Sequence, residues 1–417
     1  MTKVLLIGNG AREHAIASAL VKSGVTLHAH MDKRNPGIAN IAESVSIGTL
    51  LNPRKYPSII GLDYAVIGPE APLAKGAVDY LESQGVPCIG PRKDPARIET
   101  SKSFARRILD SAAPDANPQY VAAGSFDAIR KFEDKVGIEN IVVKPDGLTG
   151  GKGVKIVGEH LSSRKEMEQY ASDLLTKRGL VILEEKLVGT EFTVQSFVDG
   201  ITIEPMPLVR DYKRAFDGDK GPNTGSMGSY SRADHGMDFV TEADLEAALL
   251  VMQLTIKEIK KNTRQEYKGI LYGQFMKTEQ GIKVIEFNAR FGDPEAMNVL
   301  SVLESSLDDI FKSIIAGNVQ KPVFENKATV CVYVVPEGYP GSEVVRDMPL
   351  SIEPGVTSEI YYASVYEKDE LTHTTGSRSL GVLGKGDTVA EARKQAYSDA
   401  EKVNGRIRYR SDIAADV

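Results

Sequence analysis

Residues 141–157 read IVVKPDGLTGGKGVKIV, two apolar runs joined by a stretch in which Gly147, Gly150, Gly151 and Gly153 fall within seven positions. Glycine loses the most backbone freedom on ordering, so such a stretch holds one shape only with a partner. Its successive N–H groups can face an anion without side-chain obstruction. Lys144 ends the first run and Lys152 sits among the glycines, which puts two cations beside that anion. The helix-opening phosphate loop is excluded, because Lys152 is followed by Gly153 and an apolar run rather than by Ser/Thr and a helix. A solvated β-turn has the same composition, so this segment alone leaves both readings open.

Around it the chain changes texture twice. The first hundred residues alternate short apolar runs, VLLIG (4–8), LHAH (27–30), YAVIG (64–68) and PCIG (87–90), with amphipathic stretches. One of these, Ala11 to Ser23, stops at Gly24; a second helix is expected from Leu73 to Gln84. That order predicts a parallel, doubly wound sheet. Further on, Asp199-Gly200 and Glu279–Gly281 each separate two apolar runs and predict hairpins. Ser163/Glu166 and Thr388/Glu391 predict capping boxes, and 243–261 a long helix. Residues 210–236 are polar and glycine-rich and read as a long functional loop. A chain of 417 residues exceeds one compact core, so several domains are expected.

The strand-like run KVIEFNARFGDPE carries the next chemistry. Residues two apart on a strand share a face, so Glu286 and Asn288 offer two hard oxygen ligands together, with Arg290 next on that face. The pattern suits Mg²⁺ or Mn²⁺ beside a transferring phosphoryl group, and equally a half-exposed polar strand face. VILEEKLVGTE ends an apolar strand in carboxylates: backbone near Glu184, Glu185 and Leu187 suits an adenine edge, and Glu191 a ribose hydroxyl. GNGAREHA lacks the third glycine of a dinucleotide fingerprint, since Glu13 stands there, but its helix start at Gly10–Arg12 suits a phosphate. His14 reads as a polar helix residue, and His235 and His373 have no nucleophile partner, so a hydrolase triad is not supported.

Composition sets the remaining bounds. A formal charge of −6 argues against a nucleic-acid partner. No stretch reaches the roughly 18 apolar residues of a membrane span, and the start MTKVLLIGNG is unlike a signal peptide. Cys88 and Cys331 lie in separate apolar runs and read as reduced, buried thiols. The expectation is a cytoplasmic enzyme, monomeric or weakly dimeric.

Taken in order, GNGAREHA, VIGPEAPLAKG, ETSKSFAR, VKPDGLTGGKGV, LEEKLVGTEF, RDYKR, GPNTGSMGSYS, VIEFNARFGDPE and TGSRSLGVLGKGDTVAEARKQAY resemble the ATP-grasp superfamily, and within it the phosphoribosylamine–glycine ligases. The resemblance covers nearly the whole chain, from Gly8 to Tyr397. It implies α/β and α+β architecture: an N-terminal parallel α/β domain (1–98), an ATP-grasp domain (99–325) with an ATP lid at about 118–186, and a small C-terminal α+β domain (326–417). It implies ATP as co-substrate and Mg²⁺ or Mn²⁺ on Glu286 and Asn288. Lys102, Lys144, Gly150, Gly151, Gly153, Glu184, Glu185, Leu187 and Glu191 would meet ATP, while Arg290, Asp211 and Lys152 would act at the reacting groups. Gly10, Arg12, Pro69, Glu70, Lys213, Asn223, Asp293 and Glu295 would meet the other substrates. The sequence departs from the family pattern at Tyr212, where histidine is usual, at Ala11, where glycine is common, and at Pro145, where alanine is usual; Gln274 stands where many ATP-grasp enzymes have a further metal carboxylate. An ATP-grasp carboxylase or formate-using transformylase is the nearest rival, and a catalytically silent nucleotide-binding protein the more distant one.

Overall fold

The computed structural model describes residues 1–149 and 153–417. Gly150, Gly151 and Lys152, on which the phosphate-loop expectation partly rests, lie outside the described residues.

The N-terminal runs form β1 (Lys3–Ile7), α1 (Ala11–Lys22), β2 (Thr26–Met31), α2 (Pro36–Ile41), β3 (Ser44–Ile47), β4 (Tyr64–Ile67), α3 (Glu70–Ala74), α4 (Ala77–Ser83) and β5 (Cys88–Ile89). Their sheet is parallel, in the order β3-β2-β1-β4-β5. The chain winds outward from β1 one way and from β4 the other. The carboxyl ends of β1 and β4 therefore flank the switch point where such sheets open a crevice. The single helix expected over 73–84 is two, because Gly76 adopts a left-handed φ of 77° between α3 and α4.

Two helices, α5 (Arg97–Thr100) and α6 (Lys102–Ala112), lead to a four-stranded antiparallel sheet. Its strands are β6 (Tyr120–Ala123), β7 (Ile141–Pro145), β8 (Lys155–Ile156) and β9 (Val181–Glu185), ordered β6-β9-β7-β8 and backed by α7 (Phe126–Val136) and α8 (Arg164–Arg178). Ile129, Phe132, Val143, Met167 and Leu183 give this unit a hydrophobic core of its own. The α8 cap is half the expected box: Ser163 Oγ accepts from the Glu166 N–H, but the Glu166 carboxylate takes the N–H and hydroxyl of Ser162 instead.

The central sheet runs β11-β10-β16-β17, with β10 (Thr190–Asp199), β11 (Ile203–Pro205), β16 (Lys268–Thr278) and β17 (Gly281–Asn288). Both expected hairpins are present; Asp199 Oδ1 accepts from the N–H groups of Ile201 and Thr202 and fixes the first. Residues 210–236 are more ordered than a loop. They form β12 (Arg210–Asp211), β13 (Arg214–Phe216), β14 (Lys220–Asn223) and β15 (Gly228–Ser231), followed by α9 (Glu242–Thr263). The reason is distant in sequence: β15 pairs with the wholly buried β18 (Ala328–Pro336), which makes β12 and β15 one edge of the C-terminal sheet. After β17 comes the short buried α10 (Glu295–Ser301). The C-terminal helix Val389–Ala400 opens with the expected Thr388/Glu391 capping box. Cys88 and Cys331 are buried and free. Among the described residues no helix is long and apolar enough to cross a membrane.

Candidate active site

Helix α6 begins at the N-cap Ser101 and presents Lys102 and Arg106 on one face, four residues apart. Arg106 Nε and Nη2 donate to the two carboxylate oxygens of Glu184 on β9, at 2.8 and 2.7 Å, and Lys144 Nζ from β7 lies 2.6 Å from Glu184 Oε2. All three side chains are buried. Burial alone would raise the Glu184 pKa; Arg106 and Lys144 outweigh it and hold it at about 2. Glu184 therefore fixes Lys144 and leaves no carboxylate oxygen without a cation. Arg106 also donates to the carbonyls of Val284 and Ile285, at 3.0 and 2.7 Å, and so ties β9 to β17. Lys102 Nζ donates to the Gly147 carbonyl at 3.0 Å; burial lowers its pKa and the nearby Lys144 charge adds to that, against Glu286. Glu185 turns away, accepting from the backbone and side-chain N–H groups of Gln119. Among the described residues the Leu187 N–H has no hydrogen-bond partner. Gly153 has φ 95°, and its carbonyl accepts from the Tyr170 hydroxyl.

On β17 the register slips by one residue opposite Gln274 and Phe275, a bulge of the kind that re-aims side chains beside active sites. Beyond it Asn288 Nδ2 donates to Glu286 Oε1 at 3.3 Å, and Asn288 Oδ1 accepts from Arg290 at 3.3 Å. Burial pushes the Glu286 pKa up, but Lys213, Lys144 and Lys102 together bring it below the usual carboxylate value. A charged carboxylate and an amide oxygen on one strand face are the donor set that a hard divalent cation accepts. Gln274, directly across from Glu286, gives its amide N–H to Glu191 Oε2 at 2.6 Å.

Strand β12 and the residues after it alternate sides. Asp211 and Lys213 face this cluster, with Lys213 Nζ 3.1 Å from Glu191 Oε2. Tyr212 between them is buried on the other side, its hydroxyl on Asp416 Oδ1 at 2.9 Å. Burial raises the Asp211 pKa, with Lys213 opposing and Glu191 reinforcing. Glu295 is buried, accepts from the Tyr272 hydroxyl at 2.9 Å, and is pushed up by burial and by Asp211. Both oxygens of Asp293 are engaged: Tyr333 donates to Oδ1 and Arg378 lies 3.2 Å from Oδ2. Asn223 is exposed at the end of β14, where it pairs with Arg214 of β13.

Arg290 joins these groups to the N-terminal crevice. Its Nη2 lies 3.1 Å from Glu99 Oε1 and its Nε 3.5 Å from Glu70 Oε2, while Arg12 Nη2 lies 4.0 Å from that same Glu70 oxygen. Glu99 Oε2 accepts from the Ala289 N–H at 2.7 Å; burial pushes its pKa to about 7, with Arg290 opposing and Glu70 reinforcing. Glu70 follows Pro69, and a 470 Å³ cavity lined by Asp32, Thr49, Leu50, Pro69 and Ala71 opens alongside. The Gly10 N–H already donates to Glu13 Oε2, so the start of α1 is partly capped from within. His14 is not a surface residue; it is buried against Tyr361 and Tyr362 and accepts from the Tyr362 N–H, with burial lowering its pKa to about 4.

A lysine pair acts on the Glu286 carboxylate of a hard-ligand pair, and Arg290 joins that pair to a carboxylate-rich pocket. Three family descriptions match the chain in order: Phosphoribosylglycinamide synthetase, N domain, over residues 2–99, its ATP-grasp (A) domain over 100–296, and its C domain over 329–416. A phosphoribosylamine–glycine ligase of Methanoregula boonei is 47% identical over 99% of this chain and 96% of its own length. That of Pyrococcus horikoshii is 44% identical over 99% and 94%. The chain belongs to the phosphoribosylglycinamide synthetase family. The crystal structure of the Thermotoga maritima phosphoribosylamine–glycine ligase superposes with a TM-score of 0.84 at 29% identity, covering 99% of this chain and all of that one. A Hydrogenobacter thermophilus biotin carboxylase domain solved with magnesium ADP shares the fold, with a TM-score of 0.73 at 15% identity over 98% and 91% of the two chains.

Glu99, Arg106, Tyr272 and Arg378 are members of the site that the sequence reading missed. Arg106 carried a signal, its i, i+4 spacing from Lys102. Glu99 and Arg378 lie within the motifs ETSKSFAR and TGSRSLGVLGKGDTVAEARKQAY, but their contacts, like those of Tyr272, are to residues far away in sequence.

Proposed function

We propose that this protein is an ATP-dependent phosphoribosylamine–glycine ligase. A glycine carboxylate oxygen attacks the γ-phosphorus of ATP and ADP departs. The amine nitrogen of 5-phosphoribosylamine then attacks the carbonyl carbon of glycyl phosphate; phosphate leaves with the former carboxylate oxygen, and the nitrogen gives up a proton. The product is glycinamide ribonucleotide, in purine biosynthesis. Both steps need charge neutralisation and alignment more than a protein nucleophile. The observation that carries the reading is the Arg290 junction: one guanidinium reaches from the Glu286/Asn288 pair to Glu70 at the N-terminal crevice, spanning the phosphoryl side and the amine side.

In this reading Lys102, Lys144 and Lys152 neutralise the ATP phosphates, and the Leu187 N–H meets the adenine edge. Glu286 and Asn288 hold Mg²⁺ or Mn²⁺, whose chemistry is to neutralise the phosphate oxygens. Asp211, Lys213 and Glu295 border the glycyl group, and Arg12, Pro69 and Glu70 the ribosylamine. The β6–β9 unit, with its own core, serves as the lid over ATP. The protein works in the cytoplasm. In the test, ADP appears only when glycine and freshly made phosphoribosylamine accompany Mg-ATP. Equal release with bicarbonate or formate in place of glycine would overturn the identity in favour of an ATP-grasp carboxylase or transformylase.

A further inference from the structure

Arg378 lies in the loop just before the C-terminal strand Leu380–Gly386, and while its backbone carbonyl accepts from Ser364 in the same domain, its guanidinium reaches out of it. Its Nη1 donates to the carbonyls of Gly225, Ser226 and Asp293, and its Nη2 lies 3.2 Å from Asp293 Oδ2. The guanidinium carbon sits 4.2 Å from the centre of the Tyr333 ring, and the Tyr333 hydroxyl donates to the other oxygen of Asp293. The side chain is 13% exposed. One buried fork thus holds two segments that are 68 residues apart between Gly225 and Asp293.

The first of these segments is strained. Ser226 has φ 89°, a left-handed value that a non-glycine residue keeps only where its surroundings impose it. The same turn anchors the backbone of β12 and its continuation: the Thr224 N–H donates to the Lys213 carbonyl, and the Met227 N–H to the Tyr212 carbonyl, at 2.8 and 2.7 Å. Asp211 and Lys213 therefore point where this turn lets them. The second segment leads through Pro294 into Glu295.

We propose that Arg378 is a positioning residue for the acyl-transfer half of the reaction. It locks the 223–228 turn and the 291–295 segment in the arrangement that aims Asp211, Lys213 and Glu295 at a common space. Among the described residues, Lys102, Lys144 and Leu187 of the ATP half share no hydrogen bond or ion pair with Arg378. The C-terminal domain thereby sets the geometry of acyl capture without touching substrate. The proposal rests on the ligase reading for its kinetic consequence, though not for its structural one. Lysine cannot replace the fork, because one ammonium cannot serve three carbonyls and a carboxylate in a fixed plane.

The test compares Arg378→Gln and Arg378→Lys with Lys402→Ala, which removes a cation bound to Asp399 and the Gly355 carbonyl elsewhere in the same domain. Hydrogen exchange is read on the free protein. Arg378→Gln is expected to speed amide exchange in 223–228 and 291–295 about tenfold or more. ATP affinity should stay within about twofold while glycinamide ribonucleotide formed per ADP drops about tenfold, with Arg378→Lys recovering only part. Lys402→Ala should leave both readouts unchanged. Unchanged exchange in Arg378→Gln, an unchanged product-to-ADP ratio, or the same losses in Lys402→Ala would each overturn the proposal. Wild-type ADP release that ignored glycine would instead sink the ligase reading, with the exchange result still deciding the clamp.

Discussion

The two ends of the site treat buried carboxylates in opposite ways. At the nucleotide end Glu184 is enclosed by Arg106 and Lys144, and its pKa falls to about 2. At the amine end burial raises Glu99, to about 7, and raises Asp211 and Glu295 as well, while Glu70, beside Arg290 and Arg12, is the exception held below the usual carboxylate range. A satisfied ion pair fixes geometry before any ligand arrives, so Lys144 is aimed in advance at an anion. A carboxylate-rich pocket waits instead for a cationic or hydrogen-bond-donating ligand, and an amino compound supplies that. On the proposed function, the fold thus separates a preset anion site from an unfinished amine site, with Arg290 between them.

The largest effect should come from breaking the satisfied end. Arg106→Met leaves Glu184 buried with Lys144 alone and opens the link from β9 to β17. A loss of about 3–5 kcal/mol in stability is expected by chemical denaturation, the usual cost of removing one partner of a buried pair. A loss below about 1 kcal/mol, the range of surface pairs, would show that this end is not preset.

Next in size is Glu286→Gln, which keeps shape and removes charge at the hard-ligand pair. Turnover should fall about 10²-fold or more with the fold intact. Near-normal turnover would remove Glu286 from the ligand set.

A smaller effect tests the unfinished end. Between pH 4.5, the ordinary value for Glu99, and about 7, the unfolded chain has lost a proton that folded Glu99 keeps. Stability from this group therefore falls as pH rises through that window and is unaffected below it. Glu99→Gln should flatten the decline of Tm between pH 5 and 7, by about two degrees in a chain this size. A profile parallel to wild type would mean that Glu99 is ionised throughout.

The lid gives the smallest signal. Mg-ATP should slow proteolysis at Lys152 by about tenfold if the glycine segment closes over the phosphates. Equal cleavage with and without nucleotide would leave a plain turn.

What the sequence disclosed was local. Glu286 and Asn288 share a face because a strand has period two, and Asp199-Gly200 turns because of its own side chain. What it withheld depended on distant partners. Residues 210–231 look like a loop until β18, a hundred residues later, supplies a strand for β15. Asp293 shows nothing in sequence of Tyr333 and Arg378, the distant partners that engage both its oxygens. Tyr212, in the place of a usual histidine, lies on the face away from the site, which explains how the replacement leaves Asp211 and Lys213 aimed together. The glycine segment was read only in part, since residues 150–152 lie outside the described residues.

The most direct test of the account follows one oxygen. Glycine labelled with heavy oxygen in its carboxylate, given with Mg-ATP and phosphoribosylamine, should deliver one labelled oxygen to each inorganic phosphate formed. Glycinamide ribonucleotide formed together with unlabelled phosphate would contradict the passage through glycyl phosphate.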